Sequence, residues 1–86
     1  MRLMRNDSPS GQGKYSLIDN RTGARIESVP GSADEFFVLK LKDVHSEAAL
    51  RAYADSVRPH DPEFAADLDA LAARAGRNHP NCKHPD

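Results

Sequence analysis

Glu35-Phe36-Phe37-Val38-Leu39-Lys40-Leu41-Lys42 carries the strongest strand signal in the chain. Its aromatic and branched side chains suit a pleated, half-buried surface. Side chains in a strand alternate between faces, so Phe37, Leu39 and Leu41 share one face and Phe36, Val38, Lys40 and Lys42 the other. The reading predicts a strand buried on both sides at its start and wet on one side at its end. Phe36 then lies out of register with the buried face, as an exposed anchor for a partner or for a second copy of the chain.

Upstream, Tyr15-Ser16-Leu17-Ile18 is a short run of strand formers. Asp19-Asn20-Arg21-Thr22-Gly23 supplies turn residues, with Gly23 suited to positive φ, and Ala24 to Val29 return as the second strand of a hairpin. Pro30-Gly31-Ser32-Ala33-Asp34 breaks away from that hairpin. Ahead of it, Arg5 to Lys14 hold Ser, Gly, Pro and Asn with nothing to bury, which predicts a flexible leader over residues 1–13.

Downstream, Asp43 is placed to cap a helix running from Val44 to Arg58. Ala49, Leu50, Tyr53, Ala54 and Val57 form one apolar stripe, while Glu47, Arg51 and Asp55 form an i, i+4 charge ladder on the wet side. Pro59 ends the helix. Asp61-Pro62-Glu63 marks the next start, with a capping carboxylate, a proline where no amide is needed, and an acid beside the positive end of the helix dipole. This second helix is expected to run to about Ala75, burying Phe64, Leu68, Leu71, Ala72 and Ala75, with Gly76 in a left-handed terminating position. The polar tail, residues 77–86, is expected to be extended or loop.

The resulting expectation is an α+β fold. A three-stranded antiparallel sheet, made of a hairpin plus one strand, is packed on one face by an α-helical hairpin, with Phe37, Leu39, Leu41, Leu50, Leu68 and Leu71 sharing the core. The domain organisation is a leader over 1–13, a single domain over 14–76 and a C-terminal tail over 77–86.

Composition narrows the classes. Among 86 residues, 12 basic and 13 acidic side chains nearly cancel, so no global field draws the chain onto nucleic acid or an anionic membrane. No apolar run approaches the ~18 residues of a membrane span. The polar stretch after Met1-Arg2-Leu3-Met4-Arg5 occupies the place of a signal peptide's apolar region. With one cysteine, Cys82, no disulfide framework arises, and the cytoplasm is the expected location. A chain this short removes only about 60 to 65% of its unfolded surface from water. Stability of roughly 5 kcal/mol is therefore expected unless a ligand or a homo-oligomer adds to it.

Three clusters invite a chemical reading. Lys40, Lys42, His45 and Arg51 gather at the strand-to-helix junction, where unpaired helix amides and the dipole favour an anion, with Phe36 as an apolar neighbour. Against this stand the capping role of Asp43 and the common use of lysine to protect a strand edge. His79, Cys82 and His84 are soft ligands within six residues, but structural zinc takes four, so no metal or other cofactor is expected. Asp43, His45 and Ser46 contain the residue types of a hydrolase triad without the strand-to-helix elbow that would aim the nucleophile, and catalysis is not expected.

Lys14-Tyr15, Asp19, Thr22-Gly23, Phe37-Val38-Leu39-Lys40, Asp43, His45, Leu50, Tyr53 and the closing Lys83 and Pro85-Asp86 resemble a family of small, uncharacterised accessory proteins of tailed phages. Those proteins carry a similar F-V-L-[RK]-x-x-D-x-H phrase between a short hairpin and a helix pair. The resemblance covers residues 14–86 and brings no family activity with it. It implies a phage or prophage accessory gene and, by analogy of size and setting, a non-enzymatic inhibitor of host defence. Such an inhibitor is anti-CRISPR-like or a sponge for an anionic signalling nucleotide, and works in the host cytoplasm. The expected partner is a host protein or a small anionic ligand, with no membrane. The alternatives are a small nucleic-acid-binding or regulatory module and a zinc-stabilised interaction domain.

Overall fold

The computed structural model describes residues 15–84, so the expected leader lies outside the described residues. The chain divides into two compact units, Met1–Val38 and Leu39–Asp86. Where one domain over 14–76 and a separate tail were expected, the second unit takes in the tail.

In the first unit, β1 (Leu17–Ile18) and β2 (Arg25–Ile26) pair antiparallel, with Leu17 opposite Ile26 and Ile18 opposite Arg25. The hairpin forms where the turn residues predict it. The Asp19 carbonyl accepts from the Gly23 amide at 2.7 Å, and the Asp19 amide donates to the Ala24 carbonyl at 2.8 Å. Gly23 takes φ 76°, a left-handed value that a side chain would strain. The Asp19 carboxylate accepts from the amide of Arg21 and from its guanidinium, which together hold it below its ordinary titration range. Glu27 is lowered likewise, first by the Ser16 hydroxyl at 2.8 Å and then by Arg25.

The expected third strand is absent among the described residues, where residues 35–42 join no ladder. The hairpin strands are two residues long each, and the backbone of this stretch finds other partners. The Ser28 hydroxyl accepts from the Phe36 amide at 3.1 Å and donates to the Phe36 carbonyl at 2.9 Å. Leu41 and Lys42 turn toward the second unit's own hydrogen bonds. The expected faces change accordingly. Phe37, read as buried, is 68% exposed, and Phe36, read as the exposed anchor, is half-buried.

The second unit is built on α1 (Ser46–Val57) and α2 (Pro62–Ala72), which pack against each other. The second helix starts where its signals place it. Asp61 accepts from the Phe64 amide at 3.0 Å, and Pro62 occupies the first helical position. The first helix starts later than Val44, because Asp43 does not cap it. The Asp43 carboxylate accepts instead from the His45 amide at 2.8 Å in the turn ahead of the helix, and His45 itself stands at the cap position without a side-chain bond.

Among the described residues, the buried ones are Ser46, Ala54, Ala65, Leu68, Ala72, Ala75 and Gly76. Most of these side chains are small, and Leu68 is the one large apolar side chain among them. Of the expected core, Leu39, Leu41, Leu50 and Leu71 are half-buried and only Leu68 is buried. Tyr53, expected in the core, is 52% exposed and lies edge-on against Phe64, with ring centroids 5.8 Å apart.

The expected charge ladder forms only in its first rung. Arg51 bonds Glu47 at 3.0 Å, while Asp55 pairs with Arg58 at 3.0 Å. Arg58 also grips both oxygens of Asp69, at 2.9 and 3.2 Å, tying the end of α1 to the middle of α2. That grip holds the Asp69 carboxyl below its ordinary range and pushes the Arg58 guanidinium higher. No described helix is long and apolar enough to cross a membrane.

Candidate functional site

Residues 40–46 fold as two linked turns. The Lys40 carbonyl accepts from the Asp43 amide and the Asp43 carbonyl from the Ser46 amide, both at 3.0 Å. This brings the lysines of the strand-like stretch directly before the first turn of α1. The sequence leaves the tail separate from this corner, whereas the structure joins them.

After α2 the chain passes through Ala75 into a short 3-10 turn, Gly76–Asn78. The Gly76 amide donates to the Leu41 carbonyl at 2.8 Å and reaches the Ser46 hydroxyl at 3.0 Å. That hydroxyl is fully buried and lies 2.8 Å from both the Leu41 and the Asp43 carbonyls, so its one proton is always accepted. Gly76 is required here twice over. Its φ is 61°, and an added Cβ would stand 3.1 Å from the Glu47 Cβ and 3.2 Å from the Val44 carbonyl.

Farther along, the Lys83 amide donates to the Lys42 carbonyl at 2.8 Å, and the Val44 amide donates to the Lys83 carbonyl at 2.9 Å. Asp43 and Lys83 thus form a parallel bridge. At these residues main-chain bonds bring the tail, expected as extended or loop, back onto the start of α1.

The predicted basic residues fare differently. Lys40 and His45 are exposed and Lys42 is half-buried, all on the junction itself. Arg51, also exposed, is committed to Glu47 through both Nε and a terminal nitrogen. Phe36 belongs to the first unit, with its backbone held by Ser28. The tail contributes two side chains that sequence reasoning left out of the corner. Lys83 enters through the bridge, and His84 sets its ring 6.4 Å from that of His45, edge-on at 73°.

Ser46, singled out with Asp43 and His45 as hydrolase residue types, has its hydroxyl bonded to main-chain groups, where it organises the junction. His79 accepts from the Asn81 amide at its Nδ1, 3.0 Å away, which commits that nitrogen to a local turn. Among the described residues no group of three His, Cys, Asp or Glu side chains is gathered as for a metal ion. Compared with protein-family models, curated proteins and solved structures, the chain matches none.

Proposed function

We propose that the protein acts by stoichiometric binding without catalysis, and that its binding surface is the corner where residues 40–45 meet the tail at Lys83 and His84. The observation that supports this reading is the two-bond bridge between Lys83 and the Lys42–Val44 backbone. It sets Lys83 beside Lys42, with Lys40, His45 and His84 close by in the same fixed stretch. Cations ordered before binding lose less entropy on meeting an anion than cations on flexible chains do. The start of α1 adds the positive end of its dipole.

Such a surface suits an acidic face of a host protein or the phosphates of a signalling nucleotide. The resemblance to tailed-phage accessory proteins directs the reading to host-defence inhibition in the host cytoplasm, anti-CRISPR-like or sponge-like. The test is phage plating on bacteria that carry an active CRISPR or nucleotide-signalling defence and express the chain. The parent protein should restore plaques, and the folded Lys40→Glu, Lys42→Glu variant should not. Restoration by both would remove the corner from the function, and restoration by neither would remove the inhibitor reading. A salt titration on a short DNA duplex separates the nucleic-acid alternative, which requires affinity that falls steeply with added salt.

A further inference from the structure

The two flanks of the helix hairpin differ in character. One holds charges that satisfy each other, Arg51 with Glu47, and Arg58 with Asp55 and Asp69. At about 100° per residue, Tyr53 points about 160° away from Arg51 around α1, and Phe64 about 140° away from Asp69 around α2. Tyr53 and Phe64 therefore share the other flank, where their rings meet edge-on while 52% and 39% exposed. Val57, one turn after Tyr53, and Leu71, two turns after Phe64, extend this flank and are half-buried. It is apolar where the first is ionic. Among the described residues the second unit buries one large apolar side chain, Leu68, and an apolar helix face over so small a core calls for a further layer to cover it. Asp67, three residues after Phe64 and four before Leu71, borders the flank, and Glu63 lies one turn before Asp67. Both acids are exposed, and among the described residues neither carboxylate has a hydrogen bond or an ion pair. α2 contains no basic residue, and Arg51 and Arg58 are engaged on the opposite flank.

We propose that this flank receives a basic amphipathic helix of a partner protein, with its apolar stripe on Tyr53, Phe64 and Leu71 and its lysines or arginines toward Asp67 and Glu63. A helix laid on an apolar helix face anchors through side chains at i, i+3, i+4 and i+7, and aromatic residues are the side chains that most often carry such an interface. The unpaired acids select the sign of the partner's charge. A second copy would bring the same acids to the face and no cation to meet them, so charge complementarity favours a foreign basic helix over self-pairing. Tyr53 and Phe64 lie toward the turn at residues 58–61, at the end of the hairpin away from the basic corner. Occupancy of this face therefore does not depend on what the corner binds.

Fluorescence anisotropy with the full chain and three labelled synthetic peptides of about 18 residues, five helical turns, tests this. The first peptide has leucines at i, i+3, i+4 and i+7 repeats and lysines elsewhere. The second replaces the lysines with glutamates, and the third scrambles the first so that no apolar stripe remains. Only the first should bind. Tyr53→Ser should weaken its binding about tenfold or more, as the loss of an aromatic anchor does. The Glu63→Gln, Asp67→Asn double variant should weaken it severalfold, whereas Glu47→Gln, Asp55→Asn, which removes the same charge from the opposite flank, should leave it unchanged. The double variants alter no apolar side chain, so their comparison holds even where Tyr53→Ser loses helical circular dichroism. No binding by the first peptide overturns the proposal, as does equal binding by the glutamate peptide or an equal loss in the two double variants. A concentration-dependent dimer in sedimentation that Tyr53→Ser abolishes also overturns it, by assigning the face to a second copy.

Discussion

At the scale of single residues, Ser46 and Gly76 hold the junction together from opposite sides. The Ser46 hydroxyl is buried with its proton accepted and its lone pair used, so removing it deletes bonds without exposing a charge. Ser46→Ala should cost about 1 kcal/mol, since the Gly76 amide keeps the Leu41 carbonyl as acceptor. Gly76→Ala should cost more, about 1 to 3 kcal/mol, because it forces a left-handed backbone on a residue with a side chain. The new methyl would also crowd the Glu47 Cβ and the Val44 carbonyl. Urea midpoints of the two variants check the order. A Gly76→Ala midpoint at or above that of Ser46→Ala would show that the tail is not held by this turn.

At the scale of elements, the two helices contrast in how their starts are set. α2 begins by a local rule, a carboxylate at Asp61 over an amide three residues on and a proline at the first position. α1 begins by a tertiary one, since Ser46 reaches Leu41 and Gly76 while Asp43 turns its carboxylate to His45. The buried residues of the two helices are Ser46, alanines and one leucine, so Leu68 is the largest buried apolar side chain there to lose. Leu68→Ala should cost about 2 to 4 kcal/mol through the cavity it leaves. Asp61→Ala should cost about 1 kcal/mol through the lost cap. Thermal or urea denaturation distinguishes them, and equal midpoints would mean that Leu68 does not carry the interface.

At the scale of the whole molecule, three carboxylates in different places, Asp19, Glu27 and Asp69, are all held below their ordinary range by donors that favour the charged form. A depressed carboxyl binds its proton less readily folded than unfolded. Each therefore adds stability above the unfolded value, and that stability is lost as pH falls through the folded one. The melting temperature should hold on the neutral side and fall progressively below about pH 4, where unfolded carboxyls begin to protonate. Asp69→Asn should lower the neutral-pH melting temperature and flatten part of the acid loss, because the charge gripped by Arg58 is gone at every pH. An acid profile identical to the parent's would show that the Arg58 grip adds nothing to folding.

What the sequence determined by itself was whatever depends on neighbours along the chain. The Asp19–Gly23 turn, the hairpin and the Asp61-Pro62 helix start all follow from such contacts, as does the burial of Leu68 and Ala72 at helical spacing, whereas the helix ends at Ala72, short of the expected Ala75. Lys40, Lys42 and His45 were legible as a cluster for the same reason, lying within six residues of one another. Only the tertiary structure decided the rest. It brought Gly76 onto Ser46 across 30 residues of sequence, added Lys83 and His84 to the corner and left Phe37 exposed. The joining of the tail to the corner depends on main-chain donors and acceptors, which every residue carries alike, so side-chain periodicity holds no record of which distant amide will claim the Leu41 or Lys42 carbonyl. The strand composition of residues 35–42 expresses a capacity to pair that no described ladder uses, and the main-chain groups of Phe36 are taken by the Ser28 hydroxyl instead.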